Sequence, residues 1–213
     1  ELRTPLTIVS TSLENLENDP DRENSRRYID RARTGVERLR LILHRMREAT
    51  RLEQLLSQAE LEPCDLSALV STATEGYRLA FPGVMFERNI PPGTTTILAV
   101  PDLLSQALDK LVSNAVDFHQ ENTPIRLVLS SASNGQVCLS VINQGPPLPS
   151  GMERELFQSH ISMRSERTDE PHLGLGLYLV RLIVEFHGGH AEARNLDRQQ
   201  VRFDLWLPTA TLD

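Results

Sequence analysis

Cysteine is scarce in this sequence: only Cys64 and Cys138 occur, far apart and in no metal-ligand spacing. Because disulfide-rich domains and zinc sites depend on closely spaced cysteines, this pattern predicts two free thiols in a reducing compartment. The sequence also lacks an apolar run approaching the roughly 18 residues of a membrane span, and it lacks the charged-then-apolar beginning of a signal peptide. We therefore expect this part of the protein to be cytoplasmic.

Basic residues are outnumbered, with 22 lysines and arginines against 29 aspartates and glutamates and a net charge of -7 at pH 7. A chain of this charge repels phosphate backbones and anionic lipid, so neither nucleic acid nor a membrane surface is an expected partner. What the chain does have is 213 residues and 39% hydrophobic content, enough for one large core or two small ones. We expect two domains.

Apolar residues recur at alternating steps of four and three in the first part of the chain, which is typical of helices that pack along one stripe. The first series is Leu2, Leu6, Val9, Leu13 and Leu16, and the second is Tyr28, Ala32, Gly35, Leu39, Ile42, Met46, Ala49 and Leu56. Turn formers at 18–21 separate them, which predicts a helical hairpin whose second helix covers about 22–60. Because two helices with one narrow stripe each cannot enclose a dry core, we expect two copies to form a dimeric four-helix bundle.

Pro63 ends the second helix, so we predict one domain at 1–62 and another at 63–213. Asp65 or Ser67 then caps a new amphipathic helix. The pattern beyond it predicts strands at 84–90, 95–100, 125–131, 136–142, 191–195 and 201–207, with helices at 101–120 and 173–187. This order indicates an α/β sandwich with helices on one face of a mixed sheet, and an α+β chain overall.

The first six residues, Glu1 to Leu6, resemble the phosphoacceptor box of sensor histidine kinases, whose usual form has a histidine directly before the glutamate. The sequence begins one residue after that position. The resemblance implies that Glu1 accepts a proton from the imidazole and that Thr4 orients a water for the reverse, phosphatase reaction. On the hexapeptide alone, an ordinary helix start with Thr4 as cap and Pro5 in the first turn is equally well supported.

The segment from Leu108 to Phe118 resembles the N box of the same family's ATP-binding domain, a superfamily shared with gyrase-type ATPases and Hsp90 chaperones. The resemblance implies that Asn114 is a ligand of Mg²⁺. Lys110 replaces the family's usual asparagine, and Asp117 replaces a basic residue. Because positions 110, 114 and 117 share one face of a helix, we hypothesise that Lys110 reaches the phosphates while Asp117 approaches the metal.

The segment 141–149 resembles the first glycine box, at the end of a strand. Asn143 stands where an aspartate usually accepts a hydrogen bond from the adenine amino group, and an amide oxygen can accept the same bond. Because an amide can also donate, selectivity for adenine over guanine is less secure. Gly145 matches the family's pattern, while Pro147 replaces a glycine and predicts a stiffer loop. Without the neighbouring motifs, an ordinary turn would be the favoured interpretation.

Residues 155–157 match the family's F box, and the polar stretch 158–170 is typical of a lid over the triphosphate, where Arg164 could steady phosphate charge. The second glycine box follows as His172, Leu173, Gly174, Leu175, Gly176 and Leu177. Its glycines let backbone amides approach phosphates at the positive end of a helix, although His172 replaces the first glycine. A dinucleotide-binding fold is disfavoured because no βαβ unit surrounds the motif. His187 and two glycines end this helix.

Three boxes in order after a heptad hairpin imply the core of a sensor histidine kinase. The resemblance implies a homodimer through the hairpin, ATP and Mg²⁺ as cofactors, autophosphorylation of a histidine just before Glu1, and transfer to an aspartate of a response regulator receiver domain. It also implies an inner-membrane anchor in segments outside this sequence. The alternative is a pseudokinase scaffold, favoured by the replacements Lys110, Asp117, Asn143, Pro147 and His172. A gyrase-like or Hsp90-like ATPase is disfavoured because those proteins have an acidic base where Lys110 stands.

Overall fold

A computed structural model describes residues 2–18, 24–93, 95–131, 135–149, 151, 156–157, 176–197 and 199–210. The chain divides into two compact units, a helical unit that ends at Ser57 and a sheet unit that begins at Gln58. The predicted α+β class is confirmed. The boundary between residues 62 and 63 stays a prediction.

The helical unit is a hairpin of α1 (Arg3–Glu17) and α2 (Ser25–Gln58), as the heptad pattern predicts. The two helices approach closely at Gly35. A Cβ atom on Gly35 would lie 2.6 Å from Val9 Cγ2 and 3.0 Å from the carbonyl oxygen of Pro5. Glycine at this position therefore lets the backbones of α1 and α2 pack side by side.

The predicted heptad stripe is divided between two surfaces. Val9 and Leu16 on α1 are half-buried, but Leu2, Leu6 and Leu13 are exposed in the single chain. On α2, Tyr28, Gly35 and Ile42 turn inward, whereas their neighbours Ile29, Val36 and Leu43 are 44%, 43% and 58% exposed. These six exposed residues, Leu2, Leu6, Leu13, Ile29, Val36 and Leu43, are called the outer stripe below. The α2 half of the outer stripe was not predicted.

The sheet unit contains seven strands and three helices within the described ranges. In chain order they are β1 (Glu62–Asp65), α3 (Leu66–Ala80), β2 (Phe86–Asn89), β3 (Thr96–Ala99), α4 (Pro101–Phe118), β4 (Ile125–Ser131), β5 (Gln136–Gln144), α5 (Gly176–Phe186), β6 (His190–Leu196) and β7 (Gln200–Pro208). Five strands form a sheet in the order β2-β4-β5-β7-β6, and β2 and β4 are its parallel pair. The predicted mixed sheet is therefore confirmed.

The core lies between this sheet and the helices. Alternate residues of β7, namely Val201, Phe203, Leu205 and Leu207, are buried, and α4 buries Leu104, Leu108, Leu111 and Ala115 at helical spacing. The intervening β7 positions carry Arg202 and Asp204, which form an ion pair at 2.6 Å. Both cysteines are free and buried, and burial raises the pKa of each thiol. The two free thiols are as predicted.

The strand β1 was not predicted, because Pro63 was interpreted only as the end of a helix. The structure pairs Pro63 with Leu98 in a two-stranded antiparallel sheet of β1 and β3. Proline is tolerated there because an edge strand has one side without ladder bonds. Asp65 then caps α3 as predicted, since its Oδ1 accepts a hydrogen bond from the N–H of Ala68 at 3.0 Å.

His187 joins the end of α5 to the start of α4. It is 3% exposed, its Nδ1 lies 2.6 Å from the carbonyl oxygen of Ile183, and its Nε2 accepts a hydrogen bond from the N–H of Val100 at 3.0 Å. Only a neutral ring with its proton on Nδ1 satisfies both partners. Burial lowers the pKa of His187, and the bond to Ile183 opposes this only in part. Gly188, with φ of 72°, then ends the helix as predicted.

We expect His187→Leu to lower the free energy of unfolding by about 2 kcal/mol at pH 8, because the N–H of Val100 loses its partner. The folded state keeps His187 neutral, while the unfolded chain takes up a proton below about pH 6.5. The difference in free energy of unfolding between the wild type and His187→Leu should therefore be largest above that pH and should shrink as the pH falls below it. Urea unfolding of both proteins from pH 8 to pH 5 measures this, and a difference independent of pH would contradict it.

Candidate functional site

Three of the predicted site residues lie on one face of α4. Lys110, Asn114 and Asp117 follow one another at steps of four and three, so the helix places them in a row. Lys110 and Asn114 are half-buried, and Asp117 is exposed. Ala115, which directly follows Asn114, is fully buried in the core, so this face borders the interior of the sheet unit. A polar row of this kind at the edge of a core is accessible to a ligand without disturbing the packing.

The second glycine box meets this face at Gly176, the first residue of α5. A Cβ atom at Gly176 would lie 3.7 Å from Cδ and 3.8 Å from Cβ of Lys110. The first turn of α5 therefore packs against the aliphatic stem of Lys110. The N-terminal end of a helix carries partial positive charge and unpaired N–H groups. Together with the lysine ammonium, it makes a local environment suited to phosphate.

The first glycine box lies at the C-terminal end of α4. Asn143 is 3% exposed near the end of β5, and its Nδ2 lies 3.5 Å from the carbonyl oxygen of Gln144. That orientation leaves Oδ1 as the acceptor for a ligand. Gly145 packs so closely that an added Cβ would overlap the carbonyl oxygen of Phe118, the last residue of α4. The strand end and the helix end thus form one continuous surface.

Strand β5 runs two residues beyond its predicted end because of partners far away in sequence. Asn143 pairs with Val201, and Gln144 pairs with Gln200. The carbonyl oxygen of Gln144 also accepts a hydrogen bond from the N–H of Gln120 at 2.6 Å. The first glycine box is therefore held between β7 and the segment that follows α4.

The other predicted site residues divide into two groups. Thr4 is exposed in the first turn of α1, within the helical unit, and Leu177 is half-buried in α5. Predictions for Glu1, Arg164, His172, Leu173, Gly174 and Leu175 lie outside the described residues. Phe157 of the F box is buried and packs edge-to-face on Phe203, with ring centroids 6.2 Å apart. The structure therefore brings Gly176 to Lys110 in the middle of α4, and Gly145, beside Asn143, to Phe118 at its C-terminal end.

Two family models cover most of the chain. Residues 99–211 match the family described as histidine kinase-, DNA gyrase B- and HSP90-like ATPase, which is the class that the sheet unit and its helix-end site define. Residues 1–55 match the His Kinase A (phospho-acceptor) domain. The chain belongs to the sensor histidine kinases and comprises their catalytic core.

Three known proteins illustrate the likeness. The chain is 29% identical over 220 residues to the circadian input-output histidine kinase CikA of Synechococcus elongatus, covering 100% of this chain and 29% of that protein. It is 28% identical over 216 residues to the sensor protein VanSC of Enterococcus gallinarum, covering 98% of this chain and 58% of that protein. The structure of full-length ShkA in complex with AMPPNP aligns with a TM-score of 0.62 and 25% identity, over 98% of this chain and 44% of that one. The chain thus spans less than two thirds of each of these proteins. Within the described ranges, no helix is long and apolar enough to cross a membrane.

Proposed function

We propose that this chain binds ATP with Mg²⁺ and transfers the γ-phosphate to a histidine placed directly before Glu1. The phosphoryl group then passes to an aspartate on the receiver domain of a response regulator, and the same unit hydrolyses the phospho-aspartate with help from Thr4. The observation that carries the proposal is the packing of Gly176 on Lys110, which joins the glycine-box helix to the N-box helix. Similarity to ShkA, solved with AMPPNP, supports a nucleotide as the ligand.

At the adenine end, Asn143 accepts a hydrogen bond from the exocyclic amino group through Oδ1. Its burial supports this role, because a buried amide oxygen discriminates strongly between a ligand that donates and one that does not. Gly145 keeps the neighbouring surface free of side-chain atoms. At the phosphate end, the ammonium of Lys110 and the N-terminal end of α5 bind the triphosphate.

Magnesium fits this face because Asn114 offers a hard amide oxygen and Asp117 a carboxylate one turn further along α4. Among the described residues, no group of three or more His, Cys, Asp or Glu side chains could hold a metal ion by itself. An ion held here would therefore take most of its ligands from nucleotide phosphates and water. When bound, Mg²⁺ neutralises charge on the transferring phosphoryl group.

The chain acts as a homodimer through the helical hairpin. The outer stripe supports this, because three of its residues, Ile29, Val36 and Leu43, recur every seven positions on α2 and are exposed in the single chain. A heptad stripe of this kind is stabilised when a second helical hairpin covers it. We also propose that segments outside this sequence anchor the protein in a membrane.

We expect Lys110→Ala to weaken ATP binding about tenfold or more, because a charge-assisted contact to phosphate is lost. Asp117→Ala should weaken it much less, because the metal retains Asn114, phosphates and water. Isothermal titration of both variants with Mg-ATP measures the difference. Ser113→Ala, an exposed neighbour on α4, is the matched control. Equally small effects of the two variants would contradict the division of roles between Lys110 and Asp117.

The decisive experiment uses the chain extended by one histidine before Glu1, with an alanine at the same place as control. Radiolabel from γ-labelled ATP should be incorporated only into the histidine form, and a receiver domain should then remove it. Binding of Mg-ATP is measured on the same samples. No binding at millimolar ATP would reject the kinase and favour the pseudokinase scaffold, whereas binding without transfer would confine the function to nucleotide binding.

A further inference from the structure

We propose that Asn195 on β6 is a positioning residue for the nucleotide site, because it fixes the loop that follows Gly145. This inference rests on the proposed function, since it assigns the loop to the adenine end of an ATP site. Asn195 belongs to none of the boxes that the sequence reveals. Its role emerges only from the contacts that it makes across the sheet unit.

The loop at 146–149 has a single backbone donor. Three of its four residues, Pro146, Pro147 and Pro149, have no N–H, which leaves only Leu148. The side chain of Asn195 pairs with both backbone groups of Leu148: Oδ1 accepts from its N–H at 2.8 Å, and Nδ2 donates to its carbonyl oxygen at 2.8 Å. The side-chain amide of Asn195 therefore makes the pair of backbone hydrogen bonds that a neighbouring strand would make, to a loop that has only one N–H of its own.

The hairpin formed by β6 and β7, which carries Asn195, also holds the start of the loop. The N–H of Gly145 donates to the carbonyl oxygen of Gln199 at 2.9 Å, and Gln199 lies in the turn between β6 and β7 with φ of 58°. Leu148 is 6% exposed, so its side chain is also anchored. Both ends of the loop thus depend on the β6–β7 hairpin, and the prolines between them transmit a shift at either end.

Asn195 is also in register with Asn143, the residue predicted to bind adenine. Val201 on β7 pairs with Asn143 on one side and with Asn195 on the other. Directly paired residues of neighbouring strands point to the same face of a sheet, so Asn143, Val201 and Asn195 form a row on one face. Moving the loop away from Asn195 would displace Gly145 beside Asn143, which changes the pocket without removing any group that touches the nucleotide.

The test compares the wild-type chain with Asn195→Ala and Asn195→Asp in titrations with Mg-ATP and Mg-GTP at 10 °C and pH 8. We expect Asn195→Ala to weaken ATP binding about tenfold, because the loop after Gly145 is no longer held in its binding conformation before the nucleotide arrives. Discrimination between ATP and GTP should fall as well. Asn195→Asp should bind more weakly than Asn195→Ala, although it is the closer match in size, because its carboxylate faces the carbonyl oxygen of Leu148. Glu192→Ala, exposed on the same strand, should bind both nucleotides as the wild type does.

The urea midpoint of each variant separates positioning from stability. A merely structural bond would lower the midpoint while leaving both dissociation constants at 10 °C unchanged, and that result would overturn the inference. If Asn195→Ala is unfolded at 10 °C, Asn195→Ser replaces it as a smaller change. Its affinity for ATP should likewise lie below that of the wild type and above that of Asn195→Asp. If the wild-type chain itself binds neither nucleotide, the proposed function fails and the inference fails with it.

Discussion

Replacing Gly145 by alanine is expected to abolish nucleotide binding and to lower the free energy of unfolding of the sheet unit by about 3 kcal/mol. The reason is steric. A Cβ at this position overlaps the carbonyl oxygen of Phe118 and lies 3.2 Å from Nδ2 of Asn143. The first obstacle is backbone at the end of α4 rather than a flexible side chain. The strand end and the helix end must therefore separate, which disrupts the adenine end of the site.

Trp206 makes this prediction measurable, because it is the sole tryptophan of the chain and lies in β7 of the sheet unit. Its fluorescence during urea unfolding reports the stability of that unit, and titration with Mg-ATP reports binding. Gly76→Ala is the matched control, since Gly76 lies within α3 and an added Cβ meets nothing within 4 Å. This control should gain about 0.5 to 1 kcal/mol of stability from helix propensity. Wild-type stability and binding in Gly145→Ala would show that the close contact has no role.

Replacing Asn114 by alanine is expected to weaken Mg-ATP binding by about 100-fold, at the upper end of the effects seen when groups that support a metal site are removed. Asn114 is the residue of the α4 face that the resemblance assigns to the metal, and it lies between Lys110 and Asp117. Without its oxygen, the ion has no protein ligand at the centre of this face. Binding of ATP without the metal should change little, because Lys110 and the end of α5 remain.

The measurement is therefore a ratio. The dissociation constant for ATP is determined with excess Mg²⁺ and again with excess chelator, for the wild type, Asn114→Ala and the exposed neighbour Ser113→Ala. The dissociation constant with chelator divided by that with Mg²⁺ should be large for the wild type and for Ser113→Ala, and close to one for Asn114→Ala. A ratio that stays at the wild-type value in Asn114→Ala would exclude Asn114 as the metal ligand.

Two of the departures from the family's usual boxes, Lys110 and Asp117, lie on the same face of α4 on either side of Asn114. Lys110 puts a positive charge where the family has a neutral asparagine, and Asp117 puts a negative charge where the family has a basic residue. The positive charge therefore lies on the other side of Asn114 along α4, and the pair as a whole is neutral instead of positive. The stem of Lys110 packs on the glycine-box helix, whereas Asp117 is exposed one turn beyond Asn114. This arrangement favours an active nucleotide site over a degenerate scaffold, and the Lys110 and Asp117 variants test it directly.

Much of the fold was predictable because its signals are local. Heptad spacing predicts the two helices of the hairpin, Pro101 marks the start of α4, and the Asp65 cap and Gly188 mark helix ends that the structure confirms. Strand-like runs on either side of the Asn134-Gly135 turn predict the central strands β4 and β5 within two residues of their observed bounds. The boxes place Lys110 and Asn114 on one helix, because a helix fixes which residues share a face from their spacing alone.

Long-range pairing decided the rest. Local patterns in the sequence were enough to predict the family, the residues of each box and the order of the elements other than β1. Contacts between distant segments place Pro63 in a strand, extend β5 to Gln144, bond His187 to Val100 and bond Asn195 to the loop after Gly145. Each of these features depends on a partner from a distant part of the chain, and a hydrogen bond to a distant partner leaves no periodic pattern in the sequence near either residue.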